Sequence, residues 1–587
     1  MKFSGLLFAA VSVVGLAACQ QAVLPAPVVE TPPPVVETTP AWTKGAMVAA
    51  ADPRAVEAGL EILRNGGNAV DAAIAVHTVL GLVEPQSSGI GGGAFMVVYE
   101  RESGEVTVYD GRETAPSAAD ANLFIEDGEV LGFLPAWQSG RATGVPGAVA
   151  LYEAAHKGHG QANWPDLFAS AIGLAEDGFV VSPRLADLLA NERLRSIIQL
   201  DEYPTSAAYF YPGGEPLAAG AVRDNPEYAQ VLGAIAREGA GVFYRGEIAE
   251  AIVAGVGDAP MPGAMTLEDI ANYQVVTRDP LCGAWRAYTI CSAPPPSSGG
   301  VTQTMIPNLY DRLLGEEGAD KDARLQAFVD AQRLSYADRD HYVADIDFVP
   351  VPAEELINPI YLDARALQVF APDEKPLPGD PGAVLGLEPM IDMWGQDPTE
   401  HAPGTTHLSV VDFDGNAVSM TATVEAAFGT SRMVKGFLLN NELTDFARDP
   451  VKNGRPVANA PAGGKRPRSS MSPTVILDEA GDLVMVTGSP GGNSIVAYVS
   501  KTVLGVLDWD KTAQEAIALP NIIARGEQVL VEVDIENGPE AAESLRNMGY
   551  DVVEREGENS GLHVIVVRED GLEGGADPRR EGVASQP

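Results

Sequence analysis

The stretch Pro403-Gly404-Thr405-Thr406-His407-Leu408-Ser409-Val410-Val411-Asp412-Phe413-Asp414-Gly415-Asn416-Ala417-Val418-Ser419-Met420-Thr421-Ala422-Thr423 reads as two strands, 406–412 and 417–423, folded about the turn Asp412-Phe413-Asp414-Gly415. β-Branched residues suit the strands, and Asp and Gly suit the turn. Thr405 stands at the head of the first strand, behind a glycine. Taken alone, Gly-Thr-Thr before a strand is ordinary.

Farther along, 474–477 and 483–487 predict a second hairpin, from which a glycine turn leads into a helix over about 493–507. Upstream, Asp52 and Pro53 open a helix with a capping residue and a proline at its first position, and Gly66-Gly67 stops it. Asn68 caps an Ala-rich helix to about Leu82, apolar nearly all round and therefore buried. Two strands, 95–99 and 106–109, follow with Ser103-Gly104 in their turn. From there to about residue 400, mostly helical amphipathic stretches alternate with Pro-containing loops. Two strand groups with helices around them predict an α/β protein with stacked sheets between helical layers.

The chain has 587 residues, enough for at least two packed units. Its net charge of −42, from 81 acidic and 39 basic side chains, would repel phosphates and anionic lipid, so no nucleic acid partner is expected. Residues 1–19 read as a signal segment: Lys2, an apolar run over 6–18, then Leu16-Ala17-Ala18-Cys19. The last four residues resemble the bacterial lipobox, whose cysteine is lipidated; an ordinary secretory signal is the alternative. Gln20 resembles the outer-membrane sorting default, which places the protein on the periplasmic side of a bacterial envelope. Residues 20–44, with Pro32-Pro33-Pro34, form an extended tether. The other two cysteines, Cys282 and Cys291, flank a strand-like segment and form either a local disulfide or two buried thiols.

Common chemistries are excluded one by one. Gly89-Ile90-Gly91-Gly92-Gly93 follows a helix and precedes a strand, the reverse of the order that cradles a pyrophosphate. His156 and His159 have metal-pair spacing but no third ligand, which makes a surface loop the better reading. Neither metal nor cofactor is expected. Seven histidines offer no convincing base for a serine triad. A nucleophile that carries its own base remains: an N-terminal threonine, whose α-amine, with a pKa of about 8, takes the proton from its own hydroxyl. Thr405 becomes N-terminal if the bond after Gly404 breaks, and Gly404 has no Cβ to obstruct a tight turn there.

Motifs across the chain make that reading specific. They include Gly67-Asn68-Ala69-Val70-Asp71-Ala72-Ala73, Glu84-Pro85-Gln86-Ser87-Ser88-Gly89-Ile90-Gly91-Gly92-Gly93, Asp110-Gly111-Arg112-Glu113-Thr114-Ala115-Pro116 and Pro294-Pro295-Pro296-Ser297-Ser298-Gly299-Gly300. After Thr405 come Leu439-Asn440-Asn441-Glu442, Ser469-Ser470-Met471-Ser472-Pro473-Thr474 and Gly488-Ser489-Pro490-Gly491-Gly492. In this order, from about residue 45 to Asp577-Pro578-Arg579, they resemble the γ-glutamyltransferase (glutathione hydrolase) family of N-terminal-nucleophile hydrolases.

The resemblance implies a four-layer αββα sandwich made from a large subunit, 45–404, and a small catalytic subunit, 405–587, paired as a heterodimer after self-cleavage. It implies glutathione and other γ-glutamyl amides as substrates, and water, amino acids or peptides as acceptors. Thr405 matches the nucleophile, Thr423 the threonine that orients it, and the Gly491 and Gly492 amides the oxyanion hole. Arg112 matches the carboxylate-binding arginine, assisted by Ser469 and Ser470. Glu425, Glu442 and Asp445 match the positions that hold the substrate ammonium; some relatives carry Asn and Gln in place of the two glutamates. The stretch 447–464, where some relatives have a lid with an aromatic tip, holds no aromatic residue here, which predicts a more open pocket. A glutaryl-type β-lactam acylase of the same superfamily is the rival, and three acids facing one arginine disfavour it, because glutaryl lacks the ammonium.

Overall fold

The computed structural model describes residues 42–315, 320–397, 399 and 404–587. The signal segment with Cys19, the tether through residue 41, and residues 401–403 ahead of the expected cut lie outside the described residues.

The strands of the two large sheets are β1 (Met47–Ala50), β2 (Gly93–Glu100), β3 (Glu105–Gly111), β4 (Val276–Arg278), β5 (Leu281–Trp285), β6 (Tyr288–Ser292) and β7 (Gly404–Val411). They continue with β8 (Ala417–Glu425), β9 (Thr474–Asp478), β10 (Leu483–Gly488), β11 (His563–Arg568), β12 (Gly571–Ala576) and β13 (Val583–Ser585). One sheet has the order β13-β1-β7-β8-β2-β3-β4, the other β12-β11-β10-β9-β6-β5. The helices that matter most are α1 (Pro53–Arg64), α2 (Ala69–Val83), α3 (Gly299–Leu314), α4 (Lys321–Tyr342) and α5 (Ile495–Leu507).

Strand alternation sorts side chains between layers. Val48 and Ala50, Leu408 and Val410, and Val418, Met420 and Ala422 share a core with α1 and α2. Met47, Ala49, Val411 and Ala417 share the other core with the second sheet, α3, α4 and α5. The order is helices, sheet, sheet, helices: the expected αββα sandwich. Period two then sets Thr405, Thr423 and Glu425 on the face between the sheets, at one end of β7 and β8. Thr405 pairs with Thr423 across a register shift between Gly404 and Thr405.

Local signals act as read. Asp52 accepts from the Arg54 amide (2.8 Å) with Pro53 in the first turn of α1. Asn68 and Asp71 form a reciprocal capping box on α2, whose residues are buried except the half-buried Gly81. The Asp412 carboxylate accepts from the Asp414 and Asn416 amides, each 2.9 Å, and closes the turn between β7 and β8.

Other expectations need correction. The mostly helical stretch up to residue 400 also contains β4, which no local signal marked, while the strand-like segment between Cys282 and Cys291 is the hairpin of β5 and β6. His156 and His159 lie in the last turns of a helix, Ala148–His159, not in a loop; His156 Nε2 is 2.9 Å from the Ala162 carbonyl oxygen, and His159 Nδ1 is 2.8 Å from Glu100 Oε1. Cys282 and Cys291 face each other across β5 and β6, and their sulfurs are bonded.

Candidate active site

Thr423 organises the end of the sandwich. Its hydroxyl accepts from the Glu425 amide (2.8 Å), donates to the Gly404 carbonyl (2.9 Å) and lies 3.2 Å from Thr405 Oγ1. With its single proton on Gly404, Thr423 Oγ1 can only accept from the Thr405 hydroxyl. One side chain thus orients the Thr405 oxygen and polarises the carbonyl immediately before it. The Thr405 carbonyl accepts from Arg580 Nη1 at 3.0 Å.

Gly404 is required for a reason other than the expected turn. It is the first residue of β7, and a Cβ there would lie 2.3 Å from the Ala426 carbonyl carbon. Close backbone approach, not a left-handed conformation, excludes a side chain. Strain of the left-handed kind is found one strand over. Glu425 has φ of +76°, unusual for a residue with a side chain. Its carboxylate borders a small cavity and accepts from Asn441 Nδ2.

That cavity, about 20 Å3, is lined by Arg112, Thr405, Thr423, the acids Glu425, Glu442 and Asp445, Ser469, Ser470, Met471, Gly492 and Ile495. Nine of the ten site residues expected from the sequence therefore meet in one place, and Gly491 stands on the far side of its turn. Arg112 follows β3, where Asp110 Oδ1 accepts from its amide (3.0 Å) and the Pro467 and Arg468 carbonyls from its guanidinium (3.2 and 2.8 Å). The same guanidinium donates to Glu442 and, at 2.5 Å, to Asp445. Burial opposes its charge, but Glu442, Asp445 and Glu113 more than offset that and hold its pKa above the usual arginine value.

Carboxylates outnumber this one cation. Burial raises the pKa of Glu442 and of Asp445 despite Arg112. Glu113 is fully buried beside them, and burial pushes it up to about 7. Both Glu113 oxygens and Glu442 Oε2 lack a hydrogen-bond donor among the described residues.

Just past the Pro467 and Arg468 carbonyls, Ser469 Oγ accepts from the Met471 amide (3.1 Å). Ser470 Oγ accepts from Arg339 and donates to Asn493 Oδ1 (3.2 Å). Gly491 (φ +135°) and Gly492 (φ +57°) turn the chain from β10 toward α5. A Cβ on Gly491 would lie 2.4 Å from the Tyr498 ring. Residues 447–464 carry a small hairpin that does not line the cavity; Asn459 braces it by donating to the Asp445 carbonyl (2.8 Å).

Sequence reasoning gave no role to Glu113, Asn441, Arg339 or Arg580. Glu113 and Asn441 lie inside quoted motifs, so the signal was there without a chemical reason. Arg580 adjoins the Asp577-Pro578-Arg579 ending, and Arg339, in α4, had no local signal.

The family model for Gamma-glutamyltranspeptidase matches residues 55–586. The glutathione hydrolase proenzyme of Escherichia coli K12 is 35% identical over 551 residues, covering 92% of this chain and 91% of its own length. Among solved structures, a cephalosporin acylase from Bacillus halodurans superposes with a TM-score of 0.79 at 26% identity, over 96% of this chain and 99% of its own. Helicobacter pylori gamma-glutamyltranspeptidase superposes with a TM-score of 0.52 at 34% identity, over 61% of this chain and 99% of that one.

Proposed function

The chain belongs to the γ-glutamyltranspeptidase family, and from that premise we propose a γ-glutamyltransferase/glutathione hydrolase precursor that cuts itself between Gly404 and Thr405. The observation that carries the reading is a cavity in which a buried guanidinium and an excess of buried carboxylates stand beside the Thr405 hydroxyl. One cation for a carboxylate and several anions for an ammonium suit an amino-acid head group.

In the precursor, Thr405 Oγ attacks the Gly404 carbonyl. The Thr423 hydroxyl, already on that carbonyl at 2.9 Å, stabilises the developing oxyanion. The peptide shifts to an ester, and water cleaves it, leaving a large subunit, 45–404, and a small one, 405–587. The freed Thr405 amine then takes the proton from its own hydroxyl as Oγ attacks the γ-glutamyl carbonyl. The Gly491 and Gly492 amides receive that oxyanion. Arg112, with Ser469 and Ser470, holds the substrate carboxylate through a planar fork, and Glu425, Glu442 and Asp445 hold its ammonium. Water or an amine finally takes the acyl group from Thr405.

In the uncut chain the cavity beside Thr405 is small, about 20 Å3, and Arg112 is held by its own carboxylates. Arg112 must exchange its own carboxylates for the substrate's once the segment before Thr405 is released.

The superposition on a cephalosporin acylase favours a second reading, a glutaryl-type acylase. The carboxylate excess opposes it. Residues 1–44 supply the address: a signal segment, a lipidated Cys19 and a tether that hold the enzyme on the periplasmic side of the envelope, at the outer membrane. No helix of the described residues is long and apolar enough to cross a membrane.

The test is a denaturing gel with mass spectrometry, then glutamate release from glutathione. Wild type should give two chains, the smaller beginning at Thr405, and Thr405→Ala one uncut chain without activity. Efficient cutting of Thr405→Ala would sink the proposal.

A further inference from the structure

The chain is fastened on both sides of the Gly404–Thr405 bond. Downstream, Thr423 holds the Gly404 carbonyl at 2.9 Å and Arg580 the Thr405 carbonyl at 3.0 Å. Upstream, the post is Asp397, a carboxylate only 3% exposed. Its Oδ2 accepts from Asn459 Nδ2 (3.0 Å) and pairs with Arg468 Nη2 (2.9 Å). Its Oδ1 accepts from the Thr399 amide (3.0 Å) and the Thr399 hydroxyl (2.5 Å). The Asp397 amide donates to the Asp340 carbonyl at 3.0 Å. The Thr399 carbonyl in turn accepts from Arg525 Nη2 at 3.0 Å, and Arg525 Nε reaches the Asp340 carboxylate at 3.0 Å.

A buried carboxylate is costly unless donors surround it, and here donors from Asn459, Arg468 and Thr399 do so. Asn459, Arg468 and Arg525 all follow Thr405 in the chain, so each of these contacts reaches across the bond that is to be cut. The Gly395 amide adds another, to the Pro456 carbonyl at 2.8 Å. Neither Asp397 nor Arg525 lines the cavity that holds Arg112 and the acids. The post therefore grips the precursor chain without touching the place where a head group would bind.

We propose that Asp397 is a positioning residue for self-cleavage: together with Arg525 it anchors the upstream chain so that the Gly404 carbonyl stays in reach of Thr405 Oγ. The inference deepens the self-cleavage reading and rests on it. In that step Thr405 Oγ bonds to the Gly404 carbonyl carbon, the bond from that carbon to the Thr405 nitrogen breaks, and the hydroxyl proton ends on the nitrogen. Attack needs both atoms held in a fixed orientation, and small misplacements from distant changes are expensive in rate. Pinning Thr399 limits the excursions open to the few residues before Gly404. The mature enzyme has no use for the post, because the carbonyl that Thr405 then attacks belongs to the substrate.

The test follows cutting of the newly translated full-length chain on a denaturing gel, then assays the matured fraction with γ-glutamyl-p-nitroanilide. Asp397→Asn keeps the shape and removes the charge that Arg468 pairs with. It should cut roughly tenfold more slowly than wild type, the worth of one charge-assisted bond, while its matured fraction keeps the wild-type kcat and KM. Arg525→Ala, which frees the Thr399 carbonyl, should slow cutting in the same way, and it decides the matter if Asp397→Asn does not fold. A folded Asp397→Asn that cuts at the wild-type rate overturns the proposal. So does a drop in mature kcat/KM as large as the drop in cutting, which marks a general loss of structure. A wild-type chain that never cuts overturns the self-cleavage reading instead.

Discussion

Thr423 carries two duties through one oxygen, and they are separable by experiment. Thr423→Val keeps the shape and removes both the contact to Thr405 Oγ1 and the donor to the Gly404 carbonyl. Loss of one oxyanion donor typically slows a step by ~100- to 1,000-fold. The purified variant should therefore accumulate as uncut chain and mature over a much longer time on a gel; wild-type maturation kinetics would remove Thr423 from the reaction. The acids around Arg112 make a sharper demand. With Arg112 turned to the substrate carboxylate and no ammonium present, Glu442 and Asp445 lose their cation beside Glu425, at a cost of several kcal/mol, or roughly a thousandfold in rate. γ-Glutamyl-p-nitroanilide should be cleaved that much faster than glutaryl-p-nitroanilide. Both present the same scissile amide, so equal rates would pass the assignment to the acylase.

The turn between β10 and α5 works only without side chains. Gly491 has φ of +135°, and a Cβ there would run into the Tyr498 ring at 2.4 Å. Gly491→Ala must move the turn and with it the Gly491 and Gly492 amides, the proposed oxyanion hole. Because Gly491 does not line the cavity that holds Arg112 and the acids, kcat should fall by about 100-fold with KM little changed. A raised KM at unaltered kcat would place the turn in binding instead. The elements best read from sequence were those with local signatures: the α1 cap, the α2 capping box and the β7–β8 turn. β4, β11, β12 and β13 were not, because a short strand is regular only through the neighbour that pairs with it.

The first sheet weaves the two prospective subunits together. β7 and β8, from after the cut, lie between β1 and β2, from before it, and β13 pairs with β1 at the edge. The cut chains should co-elute on native size exclusion and separate only in denaturant; separate native peaks would contradict the interleaving. Buried histidines give the whole molecule a pH dependence. Burial lowers His77 and His563 to about 3 and His407 well below its ordinary value. The unfolded chain takes these protons from about pH 6.5 downward and the folded chain does not, so the stability present above that pH is lost as pH falls toward 3. Glu84, Glu442 and Asp445, whose carboxyls burial raises, act in the opposite sense, so the test is a difference. In the uncut Thr405→Ala background, His77→Gln should reduce the slope of unfolding free energy between pH 6 and 4 by about 1.4 kcal/mol per unit. Parallel curves would show that His77 is not held neutral.

The sequence by itself determined the sandwich, and it singled out the threonine proposed as its nucleophile. The sandwich is written in local patterns, in alternation along strands and caps at helix ends, whereas Thr405 stands out only through motifs spread along the chain. Only the tertiary structure decided what those groups face. Arg112 and Glu442 are far apart in the chain, yet they meet in the fold with Glu113 as an extra carboxyl behind them. The need for Gly404 comes from Ala426 across the strand pair, not from its own turn. Burial and proximity set charge states, and neither can be read from a residue's neighbours in sequence. The hold on Asp397 and Thr399 is likewise assembled from Asn459, Arg468 and Arg525, which no local pattern connects.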